Sequence, residues 1–172
     1  MRVNVAELAA SGGLLERNYQ PGELDFGAEE VSLVGPLRLE ARLALTDKGF
    51  NVSGHVRCQI ETSCDRCACP DRIKLEPAFN LFYVNEEAFN ELEAGELLPE
   101  DLNFSAYDGE VLDVDELVRE QVLLAIPSHP LCSSDCRGLC SGCGRNLNKL
   151  QCRCEQNETD PRWALLASMK DQ

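Results

Sequence analysis

The chain has 172 residues, 44% hydrophobic and 27% charged. That is enough to bury one core and carry an appendage. No apolar run reaches about 18 residues, which excludes a membrane-spanning helix. Net charge is −14 and uneven: residues 85–120 hold 13 acids against one base, Arg119. The flanks are close to neutral, with seven bases and six acids over 36–84, and six bases and five acids over 132–172. An acidic middle repels nucleic acid through the phosphate charge and suits either a solvated loop or a basic protein partner. The opening Met1-Arg-Val-Asn-Val-Ala-Glu lacks a signal-peptide core, so a cytoplasmic protein is expected. Ten cysteines in a reducing compartment argue for metal over disulfides.

In chain order, a short helix is expected over Val5–Arg17, weakened by Gly12-Gly13, with a turn at Pro21-Gly22. Leu37, Leu39, Ala41, Leu43 and Leu45 then recur every second residue, the mark of a half-buried strand. Asp47-Lys48-Gly49 is a turn. Phe50, Val52, Gly54, Val56, Cys58 and Ile60 form a second strand, with Cys58 in the core register and His55 on the polar side. Ile73, Leu75, Phe79, Leu81 and Tyr83 form a third, with Pro77 marking an edge or bulge. Short connections imply an antiparallel meander.

The stretch 85–109 reads as an acidic loop. Asp113-Val-Asp-Glu116 opens a helix as a capping box. Leu117, Val118, Val122, Leu124 and Ala125 form its apolar face, and Pro127 ends it. Asp160-Pro161 starts a last helix, Arg162–Lys170, with Trp163, Leu166 and Ala167 on one face. The expected class is α+β: an antiparallel β-sheet meander with one or two packed helices over residues 1–130, then a cysteine-rich zinc-binding tail over 131–172.

Three cysteine groups carry the chemistry: Cys64-Asp-Arg-Cys67, Cys132-Ser-Ser-Asp-Cys136, and Cys140-Ser-Gly-Cys143 with Cys152-Arg-Cys154. Two thiolates three residues apart supply half of a tetrahedral zinc site, and Gly144 suits the tight turn that aims both sulfurs at one metal. The simplest pairing closes Cys140, Cys143, Cys152 and Cys154 locally and leaves Cys64 and Cys67 to meet Cys132 and Cys136 across the fold. The competing set is Cys132, Cys136, Cys140 and Cys143. One or two Zn2+ per chain are expected. Cys69 reads as a bystander, and His129 as a loop residue able to replace a sulfur.

Catalytic layouts are poorly supplied. Cys64 lies between two strands, not at the helix N-terminus that activates redox thiols. There is no phosphate loop and no nucleophile elbow. Four thiolates leave zinc no open position for water, so no enzyme is expected.

The ordered series Cys64-Asp-Arg-Cys67, Glu116-Leu-Val-Arg-Glu-Gln-Val-Leu-Leu-Ala-Ile-Pro127, Cys136-Arg-Gly-Leu-Cys140-Ser-Gly-Cys143-Gly-Arg-Asn-Leu-Asn148, Cys152-x-Cys154 and Asp160-Pro-Arg-Trp-Ala-Leu165 resembles the YceD family, the large ribosomal RNA subunit accumulation proteins. The resemblance runs from about Gly35 to Met169. It implies a bacterial or plastid-type, non-enzymatic factor for accumulation of large-subunit (23S) ribosomal RNA. Its implied partners are ribosomal proteins or large-subunit assembly intermediates. Weak direct RNA contact would fall to Arg137, Arg145, Lys149, Arg153 and Arg162. The alternatives are a zinc-stabilised RNA-processing or redox enzyme, and a zinc-dependent adaptor unrelated to ribosomes.

Overall fold

A computed structural model describes residues 1–27, 31–47, 49–85, 89, 104–107 and 111–154. Its strands are β1 (Arg2–Asn4), β2 (Leu14–Tyr19), β3 (Ser32–Leu33), β4 (Leu37–Thr46), β5 (Gly49–Ser63), β6 (Pro70–Leu75), β7 (Ala78–Asn85), β8 (Phe104–Tyr107) and β9 (Val111–Asp113). Its helices are α1 (Val5–Ala10) and α2 (Val114–Ala125).

The 15-residue β5 organises the sheet. Its first half pairs antiparallel with β4 on one side and β7 on the other, and its second half pairs with β6 and β3. The alternation that marks β4 and β5 in the sequence is the burial pattern itself. Leu37, Leu39, Ala41 and Leu43 face inward from β4, and Phe50, Val52, Val56, Cys58 and Ile60 from β5. Leu45, expected to join them, is 61% exposed at the end of the hairpin. Gly54 is required where β4 crosses closely, since a Cβ there would lie 2.6 Å from Ala41 Cα.

The third expected strand is two strands. Pro77 has no N–H to give the ladder, but its carbonyl accepts from Val56 N at 3.0 Å. The break sends β6 to Cys58–Ser63 and β7 to Gly49–His55. The helix expected over Val5–Arg17 is also shorter. Gly12 and Gly13 take φ of 100° and 67° and end it, and Leu14–Tyr19 continues as β2 against β4. The acidic stretch 85–109 contains β8, which pairs parallel with β7, so the sheet is not a pure antiparallel meander. Most of 86–103 lies outside the described residues, as does the expected helix Arg162–Lys170 with Trp163.

Helix α2 covers the inner face. Asp113 caps it, its carboxylate accepting from the backbone N–H of Asp115 at 3.1 Å and of Glu116 at 3.4 Å. Val114, Leu117, Val118 and Val122 are buried, whereas Leu124, expected on the same face, is 79% exposed. Ile126, just before Pro127, is already extended, which ends the helix. Tyr19, 1% exposed, donates its hydroxyl to Asp115 Oδ1 at 2.7 Å and ties β2 to the helix. Cys58 sits in this core as expected, and burial pushes its thiol up to about 11.

The packing yields a paired prediction. Leu117→Ala should cost about 2–5 kcal/mol of stability, as buried leucines do. Leu124→Ala should stay within about 0.5 kcal/mol. Equal losses in urea denaturation would contradict the helix face described. Gly54→Ala should cost about 1–3 kcal/mol, because the new methyl overpacks against β4; a neutral result would disprove the close crossing.

Candidate metal centres

Strand β5 runs out of the core and delivers Cys64 just past Ser63. The chain turns at once. Ala68 N donates to Cys64 O at 2.8 Å, and Cys64 N donates to Cys69 O at 2.9 Å. Ala68 closes the turn at φ 52°, a left-handed conformation. The turn Cys140-Ser-Gly-Cys143 is built the same way: Gly144 N donates to Cys140 O at 2.8 Å, with Gly144 at φ 69°. Both Cys-x-x-Cys segments are therefore the same knuckle, one with glycine at the strained position and one with alanine.

The segment after α2 is laced onto the first knuckle. Asp65 N donates to Pro130 O at 2.9 Å and Leu139 N to Arg66 O at 2.9 Å. Arg66 Nη1 donates to Cys136 O at 3.0 Å. Gly138, at φ 74°, lies close under Arg66, where a Cβ would sit 2.9 Å from its carbonyl oxygen. These contacts bring Cys132 and Cys136 to Cys64 and Cys67. The Sγ atoms of Cys64 and Cys136 are 3.8 Å apart, and those of Cys67 and Cys132 are 3.7 Å apart.

In the tail, Cys152 Sγ lies 3.3 Å from Cys140 Sγ and 3.5 Å from Cys143 Sγ. Within each set of four, Cys64, Cys67, Cys132, Cys136 and Cys140, Cys143, Cys152, Cys154, all sulfurs lie within 4.8 Å of one another. A tetrahedron of thiolates with metal–sulfur bonds of about 2.3 Å has edges of about 3.8 Å. Both clusters are thus dimensioned to hold a metal ion. The competing set of Cys132, Cys136, Cys140 and Cys143 is not the one the fold assembles. The first cluster is shielded, with Cys64, Cys67 and Cys136 buried, while Cys143 and Cys154 of the second are exposed.

The main chain prepares anionic sulfur in both places. The Cys132 amide, helped by those of Cys67 and Arg66, outweighs burial and holds the Cys64 thiol down to about 6. The Cys143 and Gly142 amides hold Cys140 down to about 6. Their partners go the other way: the thiols of Cys136 and Cys67 push Cys132 up to about 12, and those of Cys152 and Cys143 push Cys154 up to about 12. Four close sulfurs resist collecting four negative charges unless a cation joins them, and a coordinating thiol is deprotonated outright.

Neither histidine joins a cluster. His129 Nδ1 lies 2.8 Å from Asp65 Oδ2, and His55 Nε2 lies 2.9 Å from Glu40 Oε2. Cys69 is outside both sets, but its sulfur accepts from Asn146 Nδ2 at 3.1 Å. Sequence reasoning missed Asn146, Asn148 and Arg66. Asn148 Nδ2 donates to Cys136 Sγ at 3.2 Å and is the chief reason that thiol is lowered. For the two asparagines the available signal was their place inside the Gly144–Asn148 turn, and for Arg66 its place inside the first knuckle.

The chain is 27% identical to uncharacterized proteins of Mycobacterium tuberculosis and Mycobacterium bovis, over 98% of its own length and 81% of theirs. It is 26% identical to the chloroplastic large ribosomal RNA subunit accumulation protein YCED homolog 1 of Arabidopsis thaliana, over 80% of this chain and 49% of that one. The maize homologue is 27% identical, over 90% of this chain and 57% of its own. The chain thus spans about half the length of these plant relatives. No solved structure matches it. The model of the YceD family, described as large ribosomal RNA subunit accumulation protein, matches residues 52–170, a stretch that contains both cysteine clusters and most of the sheet, and the chain belongs to that family.

Proposed function

We propose that this protein is a non-enzymatic factor for accumulation of large-subunit ribosomal RNA, folded around two structural zinc ions and working on assembly intermediates through a basic protein partner. Family membership over residues 52–170 carries the ribosomal part. Four thiolates per site, with no place for a water ligand, support structural rather than catalytic metal. Tetrahedral all-sulfur sites suit zinc or iron, and zinc leaves the protein colourless.

A cavity of about 310 Å³ between the sheet and α2 supports a basic partner. Its aromatic wall is Phe50, Tyr83 and Tyr107, with Phe50 stacked on Tyr83 at 4.9 Å and edge-on to Tyr107 at 5.0 Å. Its polar side is Asp113, Glu116 and Glu120, the described end of the acidic stretch. Burial first, then the nearby Glu120 and Glu116 carboxylates, pushes the Tyr83 hydroxyl up to about 12 and keeps it neutral. Ring faces beside carboxylates attract an arginine or lysine side chain, by cation–π contact and by charge. Arg137, Arg145, Lys149 and Arg153 are exposed on the tail and supply the secondary RNA contact; Arg162 lies outside the described residues.

Four measurements test this reading. Protein purified in reductant without chelator should carry two zinc ions per chain, and Cys64→Ser and Cys143→Ser should each lose one. Metal-free protein from that preparation would sink the zinc assignment. Removing zinc from the tail should open residues 130–154 to protease, since structural zinc supplies on the order of 10 kcal/mol of folding energy in small peptides. Glu116→Gln with Glu120→Gln should slow association with a basic large-subunit protein and flatten its salt dependence. Tight binding to naked large-subunit RNA, unchanged by these substitutions, would overturn the protein-first mechanism. Depletion of the protein should lower large-subunit RNA relative to small-subunit RNA, and unaltered subunit ratios would remove the ribosomal role.

A further inference from the structure

The loop of the tail cluster reaches the first cluster through Asn148, with Asn146 beside it. Asn148 lies in the turn between Cys143 and Cys152, so it belongs to the loop of the tail cluster. Its Oδ1 accepts from Arg137 N at 2.8 Å, which fixes the amide orientation and points Nδ2 at Cys136 Sγ, 3.2 Å away, in the other cluster. Asn146 is held by the same logic. Its Oδ1 accepts from Asn148 N at 2.9 Å, and its Nδ2 donates to Cys69 Sγ, beside the first knuckle.

The turn that carries both asparagines buries no apolar side chain, and its order comes from backbone hydrogen bonds. Leu150 is 56% exposed, and the backbone bonds that shape the turn anchor to the segment just before it: Cys140 N to Arg145 O at 2.8 Å, and Leu147 N to Gly138 O at 2.9 Å. Two of the cluster's cysteines lie before this turn and two lie after it. A metal bound to all four closes the turn's ends and removes most of the freedom that the Asn148 side chain would otherwise lose on meeting Cys136.

We propose that Asn148 is a positioning residue that couples the two metal sites, so that metal in the tail cluster raises the affinity of the Cys64, Cys67, Cys132 and Cys136 cluster. The inference rests on the reading that both clusters hold metal. Hydrogen bonds from outside the ligand set typically change metal affinity 10–100-fold. Coupling between sites is reciprocal, so metal in the first cluster must tighten the tail cluster by the same factor.

The test uses the full chain, with cobalt(II) titrated against a competing chelator and followed by its thiolate charge-transfer absorption. Emptying the tail cluster with Cys143→Ser and Cys154→Ser should weaken cobalt binding at the first cluster about tenfold relative to its affinity in the intact chain. Cys64→Ser should weaken the tail cluster by a similar factor. Asn148→Ala should lower the affinity of the first cluster and make it indifferent to the tail substitutions. Asn148→Asp keeps the acceptor for Arg137 N–H but removes the donor to sulfur, so it should show the same loss; a tail affinity equal to that of the Cys64→Ser chain, with no further drop, would rule out misfolding as the cause. Metal bound at both sites with equal first-cluster affinity in the presence and absence of the tail cysteines overturns the coupling alone. Asn148→Ala with undiminished coupling assigns it elsewhere and overturns the role of Asn148. A chain that binds no cobalt overturns the metal reading and this inference with it.

Discussion

The docking of residues 128–154 onto the sheet depends on the meeting of two cysteine pairs from distant parts of the chain. The segment from Leu131 to Cys154 is mostly exposed, and its buried residues are Cys136 and Gly138. It cannot exclude enough apolar surface to fold by burial, whose yield is about 25 cal/mol per Å². Its order comes instead from a small buried group of Cys64, Cys67 and Cys136, with Cys69 and Leu131 packed against it, and from the backbone bonds to Asp65 and Arg66. The hydrophobic core and the cysteine group are separate clusters held by one strand, β5.

That shared strand explains why the sheet has the shape it does. Val52, Val56 and Ile60 of β5 are completely buried, so the strand is fixed in register against β4 and β7. A slip of one residue would turn this whole face outward. The position of Cys64 is therefore set by packing in the core, not by local loop chemistry. The Pro77 break serves the same end, since it lets β6 pair with the far half of β5 and support the residues just before the knuckle.

The parts legible in the sequence are those where one local rule decides. β4 and β5 show a period of two because one face is buried along their length, and Asp113 announces its helix because capping is a local bond. β2 was hidden because Leu14–Tyr19 follows a genuine helical turn, and Arg17 occupies an inward position between Leu15 and Tyr19. β8 was hidden because a parallel pairing has no short-range signature and its flanks are dominated by charge. The cysteine knuckles were legible by spacing, and Gly144 advertised its turn, whereas Ala68 does the same work in the first knuckle without glycine's mark. Spacing left two pairings open, and the one it made simplest, with Cys64 and Cys67 meeting Cys132 and Cys136, is the one the fold assembles, joining sulfurs 72 and 65 residues apart. Asn146 and Asn148 read as ordinary turn residues, because what they donate to lies across the fold.

The separation of 72 positions between Cys64 and Cys136 has a topological consequence. An ion held by both pairs is a cross-link that threads no disulfide, and closing a loop of that size removes chain entropy worth about 4 kcal/mol from the unfolded state. It resists reductants, which open disulfides, and yields to chelators and acid, which do not. It also cannot close while the chain is being made until Cys136 has emerged, so the sheet must stand on its own hydrophobic core while the rest of the chain is still being added.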